Sequence, residues 1–194
     1  MNKAALTGAA VLLSASAAQA DCIDEIREIL ALTSTQENVR VHIETSMNGK
    51  VVQETNGWIL DDRHNIYEVI GRDWWSLTAG KVHYNSTDGQ TWQKSEMQDP
   101  DWEAKARANT ERMLANMTDT QCGKSEEIDG KAYQVFAYSY ASDKPYPTDT
   151  DTVMYFDPEA PFLFRTISHS KLATGGTVVT TYTPDADIVF PEVD

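Results

Sequence analysis

The residue types that carry chemistry are present, but not in chemical arrangements. His42, His64, His83 and His169 stand singly, without the His-X-X-X-His or Cys/His spacing that brings several ligands onto one metal. Asp143, Asp149 and Asp151 share a polar loop that lacks the regular ligand spacing and turn glycine of a calcium site. No Gly-X-Ser-X-Gly elbow, Ser-X-X-Lys pair or glycine-rich phosphate loop occurs. The reading is a non-enzymatic protein with no catalytic residue, no metal and no cofactor; a hydrolase assembled from distant strands is kept only as a remainder.

Two cysteines, Cys22 and Cys122, stand at the ends of a long interval. In an exported chain they read as a structural disulfide, since a redox-active pair would have Cys-X-X-Cys spacing. The start of the chain supports export. Lys3 gives a positive beginning, residues 4–17 are small or apolar without charge, and Ala18-Gln19-Ala20 suits signal peptidase. Residues 1–20 are therefore expected to be a cleaved signal peptide, and residues 21–194 a single domain in the periplasm, with no transmembrane segment. Asp21, where a lipoprotein would need a small residue before Cys22, argues against lipidation there.

The formal charge of the whole chain is −14, from 16 basic and 30 acidic residues. Such a chain repels phosphate backbones, and its basic residues form no stripe beyond the pair Lys105 and Arg107, so nucleic acid and anionic membrane surfaces are not expected as partners.

The most informative residues are the aromatics. Trp58, Tyr67, Trp75, Tyr84, Trp92 and Phe156 are candidates to line a ligand cavity, because rings supply much contact area with few rotamers to freeze. Ordinary core packing accounts for any one of them as well, since a face cannot be assigned without the partner strand. Trp74 beside Trp75 places one ring on each face if both are in a strand, and an exposed tryptophan marks a binding surface. Trp102, Met113, Leu114 and Met117 fall on one side of a helical pattern and read either as a movable lid or as packing on a sheet. Arg165 is a candidate to hold such a lid closed if it is buried against a carboxylate or carbonyl, and a plain surface charge otherwise.

These residues are set in a β-rich pattern. Residues 21–32 carry Ile23, Ile26, Ile29 and Leu30 at helical spacing with acids in the first turn, which predicts a short amphipathic helix. Short alternating runs follow at about ten-residue intervals, with Asn48-Gly49, Gly71, Gly80 and Asp88-Gly89 as turns. Asp99-Pro100-Asp101 starts a second helix predicted to reach Met117. Strands resume at residues 133–140, 152–156, 162–169 and 177–182. The disulfide would then join the first helix to the end of the second.

The order of these elements resembles the LolA-like family of periplasmic proteins. The residues that carry the resemblance are Gly80-Lys81-Val82-His83-Tyr84 with Asp88-Gly89-Gln90-Thr91-Trp92; Ile128-Asp129-Gly130-Lys131-Ala132-Tyr133; Met154-Tyr155-Phe156-Asp157 with Phe164-Arg165; and the closing residues 182–191. Where many members have a leucine-proline turn before the strand with the arginine, this chain has Ala160-Pro161-Phe162-Leu163-Phe164-Arg165. The resemblance implies a mainly β (α+β) fold, a strongly curved antiparallel sheet of about ten or eleven strands forming an unclosed half-barrel, with two helices over its concave face. It implies a carrier or receptor of a hydrophobic small molecule, a lipid or a lipoprotein acyl chain. The alternative reading is an envelope protein-interaction or stress-sensing module without cargo.

Overall fold

A computed structural model describes residues 11–33, 36–97, 100–142, 147–172 and 175–193; of residues 11–21, 96 and 97 it describes the backbone. Helix α1 (Val11–Thr33) precedes six strands: β1 (Val39–Met47), β2 (Lys50–Asp61), β3 (His64–Val69), β4 (Trp75–Ala79), β5 (Val82–Ser86) and β6 (Gln93–Met97). Helix α2 (Trp102–Ala115) follows, then β7 (Met117–Ile128), β8 (Lys131–Ser142), β9 (Thr148–Asp157), β10 (Phe162–Ser170) and β11 (Thr177–Pro184). All eleven strands form one antiparallel sheet in the order β6-β5-β4-β3-β2-β1-β11-β10-β9-β8-β7.

This is the mainly β, unclosed sheet with two helices expected from the sequence. Each half is a meander of sequential hairpins, and the β1–β11 pair joins the halves. At Asn48-Gly49 both residues have positive φ, 51° and 73°, the twist that a two-residue hairpin loop demands. The free edges are β6 and β7, and α2 is the segment connecting them in sequence.

Several boundaries differ from the expectation. The first helix begins well before Asp21, because residues 14–20 are mostly alanine and serine, which do not break a helix. Part of the expected signal, residues 1–10, lies outside the described residues. No described helix is long and apolar enough to cross a membrane. The second helix stops at Ala115, so Met117 is the buried first residue of β7 and not a helical lid residue. Strand β7 was hidden because it is an edge strand with mostly exposed, polar residues and two register irregularities. The run of residues 50–61 is one long strand.

The main core lies where α1 crosses β7–β10. Cys22, Ile26 and Ile29 face Met117, Phe136, Tyr138, Met154, Phe156 and Leu163. Ile26, with 0% exposure, is the helix residue most completely enclosed. Cys22 is bonded to Cys122, which lies in β7 and not at the end of α2, so the disulfide pins α1 to the sheet edge.

Candidate functional site

Side chains alternate across a strand, so the pairing register assigns every strand residue to a face. Phe136, Met154, Thr166, Thr180, Ile43, Thr55 and Val69 are paired in a row across seven strands. Their face includes the core under α1 and is here called the helix face. Arg40, Trp58, Ile66, Leu77 and Tyr84 form the adjacent row on the opposite face. The residues after Pro184 cover this second face, which is here called the tail face. The two hydrophobic clusters of the protein therefore lie on opposite sides of one continuous sheet.

On the helix face three tyrosines stand on β3, β8 and β11: Tyr67, Tyr138, which belongs to the core under α1, and Tyr182, which packs against that core. Burial pushes all three hydroxyls above the ordinary tyrosine range, and the proximity of Tyr182 adds to the effect on Tyr67 and Tyr138. They stay neutral at physiological pH and present an apolar body with a polar tip. The Tyr67 ring lies over Gly57, where a Cβ would come within 2.6 Å of it and within 2.4 Å of Val41. Near the end of α1 a recess of about 200 Å³ opens on this face, bordered by Thr33, Val39, Ile59, Asn65 and Tyr182.

Helix α2 buries none of its residues. Near its start Glu103 accepts a hydrogen bond from Arg63 of the β2–β3 turn at 3.1 Å, an exposed pair. Toward its end Met113 and Leu114 pack against the main core, and the Tyr138 hydroxyl approaches the Met113 sulfur at 3.9 Å. A helix with no buried residue is fastened less firmly than α1, and its exposed ion pair contributes about 0–1 kcal/mol.

On the tail face, Trp58 and Trp75 stack with ring centroids 6.0 Å apart and planes 10° from parallel. Trp92 packs beside them, with Phe190 and Val193 from the tail. A groove of about 300 Å³ runs between these indoles and residues 187–189. The turn that abuts it is stiff. Asp88 accepts hydrogen bonds from the backbone N–H groups of Thr91 and Gln90 and from the hydroxyls of Ser86 and Thr91, which hold its carboxyl well below the usual range. Gly89, at φ 70°, fits against Trp75, whose ring lies 3.0 Å from where a Cβ would be.

No family model matches the chain, and no curated protein matches it. Solved structures do. Lipoprotein LppX from Mycobacterium tuberculosis superposes with a TM-score of 0.53 at 16% identity, over 87% of this chain and 97% of that one. A LolA superfamily protein from Nitrosomonas europaea gives 0.36 at 11% identity, over 86% and 97%. An outer membrane lipoprotein-sorting protein domain from Vibrio parahaemolyticus gives 0.33 at 6% identity, over 86% and 93%. The chain shares its fold with the lipoprotein LppX. The distant resemblance read from its motifs thus holds at the level of the fold.

The sheet divides the aromatic set that the sequence presented as one. Trp58, Trp75, Tyr84 and Trp92 gather on the tail face; Tyr67 and Phe156 are on the helix face, where Phe156 is part of the core under α1. Trp102 and Met113 are on α2, both half-buried. Arg165 pairs with Tyr155 and Thr181, which places it on the face opposite to the one that meets α2. Its guanidinium lies 5.0 Å from the Phe164 ring, and its Nε is buried without a hydrogen-bond partner among the described residues. Trp74 precedes β4 in a turn and is 44% exposed, so it and Trp75 do not share a strand.

Sequence reasoning missed Tyr182, Gly57 and the tail residues Ile188 and Val189. The alternation of residues 177–182 marks Tyr182 as a strand residue but not as a neighbour of Tyr67. Among the described residues no cluster of His, Cys, Asp or Glu could hold a metal.

Proposed function

We propose that the protein is an exported, periplasmic, non-enzymatic carrier or receptor of a hydrophobic ligand, a lipid or a lipoprotein acyl chain, held on the helix face between the sheet and α2. The observation that carries this reading is the contrast between the helices. α1 is sealed to the sheet by the disulfide and by three buried side chains, whereas α2 buries none of its residues. A helix so fastened can lift at modest cost, and Tyr67, Tyr138 and Tyr182 would then offer a chain-shaped ligand apolar ring faces. Uptake is driven by area, at about 25 cal/mol per Å² before association costs. Met113 adapts to irregular acyl chains through its flexible thioether. The fold shared with the lipoprotein LppX supports the assignment.

Native mass spectrometry of protein purified without detergent, followed by organic extraction, tests it. The expected result is a bound mass in the lipid range that is lost in Met113→Ala or Trp102→Ala. A clean apo mass, unchanged after incubation with envelope lipids, overturns the carrier reading.

A second reading is favoured by Trp74 and Ile70, two exposed apolar side chains four residues apart in sequence and outside the lining of the groove. A protein-interaction module predicts an envelope protein crosslinked from Trp74 and lost in Trp74→Ser. Lipid recovered without such a partner counts against it.

A further inference from the structure

The tail-face groove is separate from the proposed acyl-chain site, since the sheet itself stands between them. We propose that it is a second binding site and that its ligand is a neutral saccharide, one or two sugar rings of a free or lipid-borne glycan.

Two indoles are stacked nearly parallel at 6.0 Å, so the groove meets ring faces of one orientation and not a box of perpendicular rings around a cation. The outer ring face of such a stack suits a ligand that is itself flat and apolar on one side. A pyranose ring presents a face of C–H groups, and its hydroxyls radiate from the edge.

The rim has the groups that the edge requires. Arg40 and Asp185 are paired at 2.5 Å, and Asp187 follows, its N–H donating to the Asp185 carboxylate at 3.1 Å. That pairing holds the Asp185 carboxyl below its usual range, so it stays an acceptor for hydroxyl protons, while the guanidinium still has donors to give. A rim of one cation and two carboxylates addresses neutral groups that both donate and accept, and the −14 charge of the chain disfavours an anionic ligand.

The indole N–H of Trp92, a residue of the same groove, is buried with no acceptor among the described residues. A buried unpaired donor costs about 1–3 kcal/mol. A ligand hydroxyl oxygen that enters as the tail yields relieves it, which an acyl chain does not do. Residues 187–189, between the Arg40–Asp185 pair and the packed Phe190, are the part of the tail suited to yielding. Residues 185–193 form no helix or strand, and Val189 is 87% exposed at the mouth of the groove. A volume of about 300 Å³ is at the lower end of the range for ligand pockets, which matches one or two rings and not a long chain.

The test is titration of the intact protein with maltose, cellobiose and N,N′-diacetylchitobiose, read by tryptophan fluorescence and by amide chemical shifts. At least one should give saturable changes centred on Trp58, Trp75 and the tail. Affinity should fall by about tenfold in Asp187→Asn, an exposed change that leaves the core alone, and by more in Trp75→Ala. Trp75→Phe, which keeps a ring in the stack, should restore part of it. Met113→Ala, on the other face, should leave saccharide binding unchanged. Absence of saturable binding by all three sugars, or sugar binding indifferent to both Asp187→Asn and Trp75→Ala, overturns the proposal, as does saturation of the groove by phosphocholine in their place. A lipid-range mass without sugar binding would sink this site and leave the carrier reading standing.

Discussion

Adding a single methyl group at Gly57 probes whether the helix face is packed as the register implies. Gly57 lies in β2 between Val41 of β1 and Tyr67 of β3. A Cβ there would stand 2.4 Å from the Val41 Cγ2 and 2.6 and 2.7 Å from two carbons of the Tyr67 ring. Carbon atoms are at rest about 3.5–4.0 Å apart, so both neighbours or the strand must move. Overpacking of this kind costs about 1–3 kcal/mol, and exchanging glycine for alanine inside a strand returns about 0.5–1 kcal/mol. The expected net loss for Gly57→Ala is about 1–2 kcal/mol. For a chain of this size each kcal/mol lowers Tm by about 2–4 °C. Urea unfolding followed by tryptophan fluorescence should show a lower midpoint with an unchanged slope. The cost should shrink by about 0.5 kcal/mol or more when Gly57→Ala is made in a Tyr67→Ala or Val41→Ala background, since the colliding group is then gone. A neutral or stabilising Gly57→Ala, or a cost equal in all three backgrounds, would refute this packing.

Two further outcomes follow from the same structure. The Cys22–Cys122 bond closes an interval of 100 residues, so reduction, or Cys122→Ser, should lower unfolding stability by about 2–4 kcal/mol; equal urea midpoints with and without reductant would contradict it. Asp157 is buried beside Lys131, whose ammonium donates to it and holds its carboxyl below the usual aspartate range. A depressed folded value means that this contribution is complete above the unfolded value of about 3.9 and is lost as pH falls through the folded one. Urea midpoints measured down from pH 6 should therefore decline below about pH 4 more steeply in the parent than in Asp157→Asn. Parallel declines would remove Asp157 from the acid limb.

Local alternation made most strands legible, and turn chemistry placed the hairpins: Asn48-Gly49 and Asp129-Gly130 both adopt the positive φ pairs that their residue types favour. The order of the hairpins was enough to suggest the LolA-like sheet. Strand β7 was illegible because its residues face solvent and carry no apolar period. The end of α2 was misread because Met117 continues an apolar spacing that belongs, in fact, to the first buried position of a strand.

The site was less legible than the fold. The sequence by itself determined that the chain is acidic, rich in hairpins and aromatics, bracketed by two cysteines and without a metal or nucleophile motif. It also set which residues alternate together along each strand. Only the tertiary structure decided which face each aromatic occupies. Trp58 and Tyr67 are nine residues apart, one strand from each other, yet they belong to opposite faces because Trp58 is paired with Ile66 and Tyr67 with Gly57. Nor does alternation say what covers a face. The helix face is covered by α1 and the tail face by residues 185–193, segments from opposite ends of the chain. Covering a strand is a long-range event whose free energy comes from burial against distant residues. The period along a strand divides its side chains into two sets, and only the partners brought by folding give each set its environment.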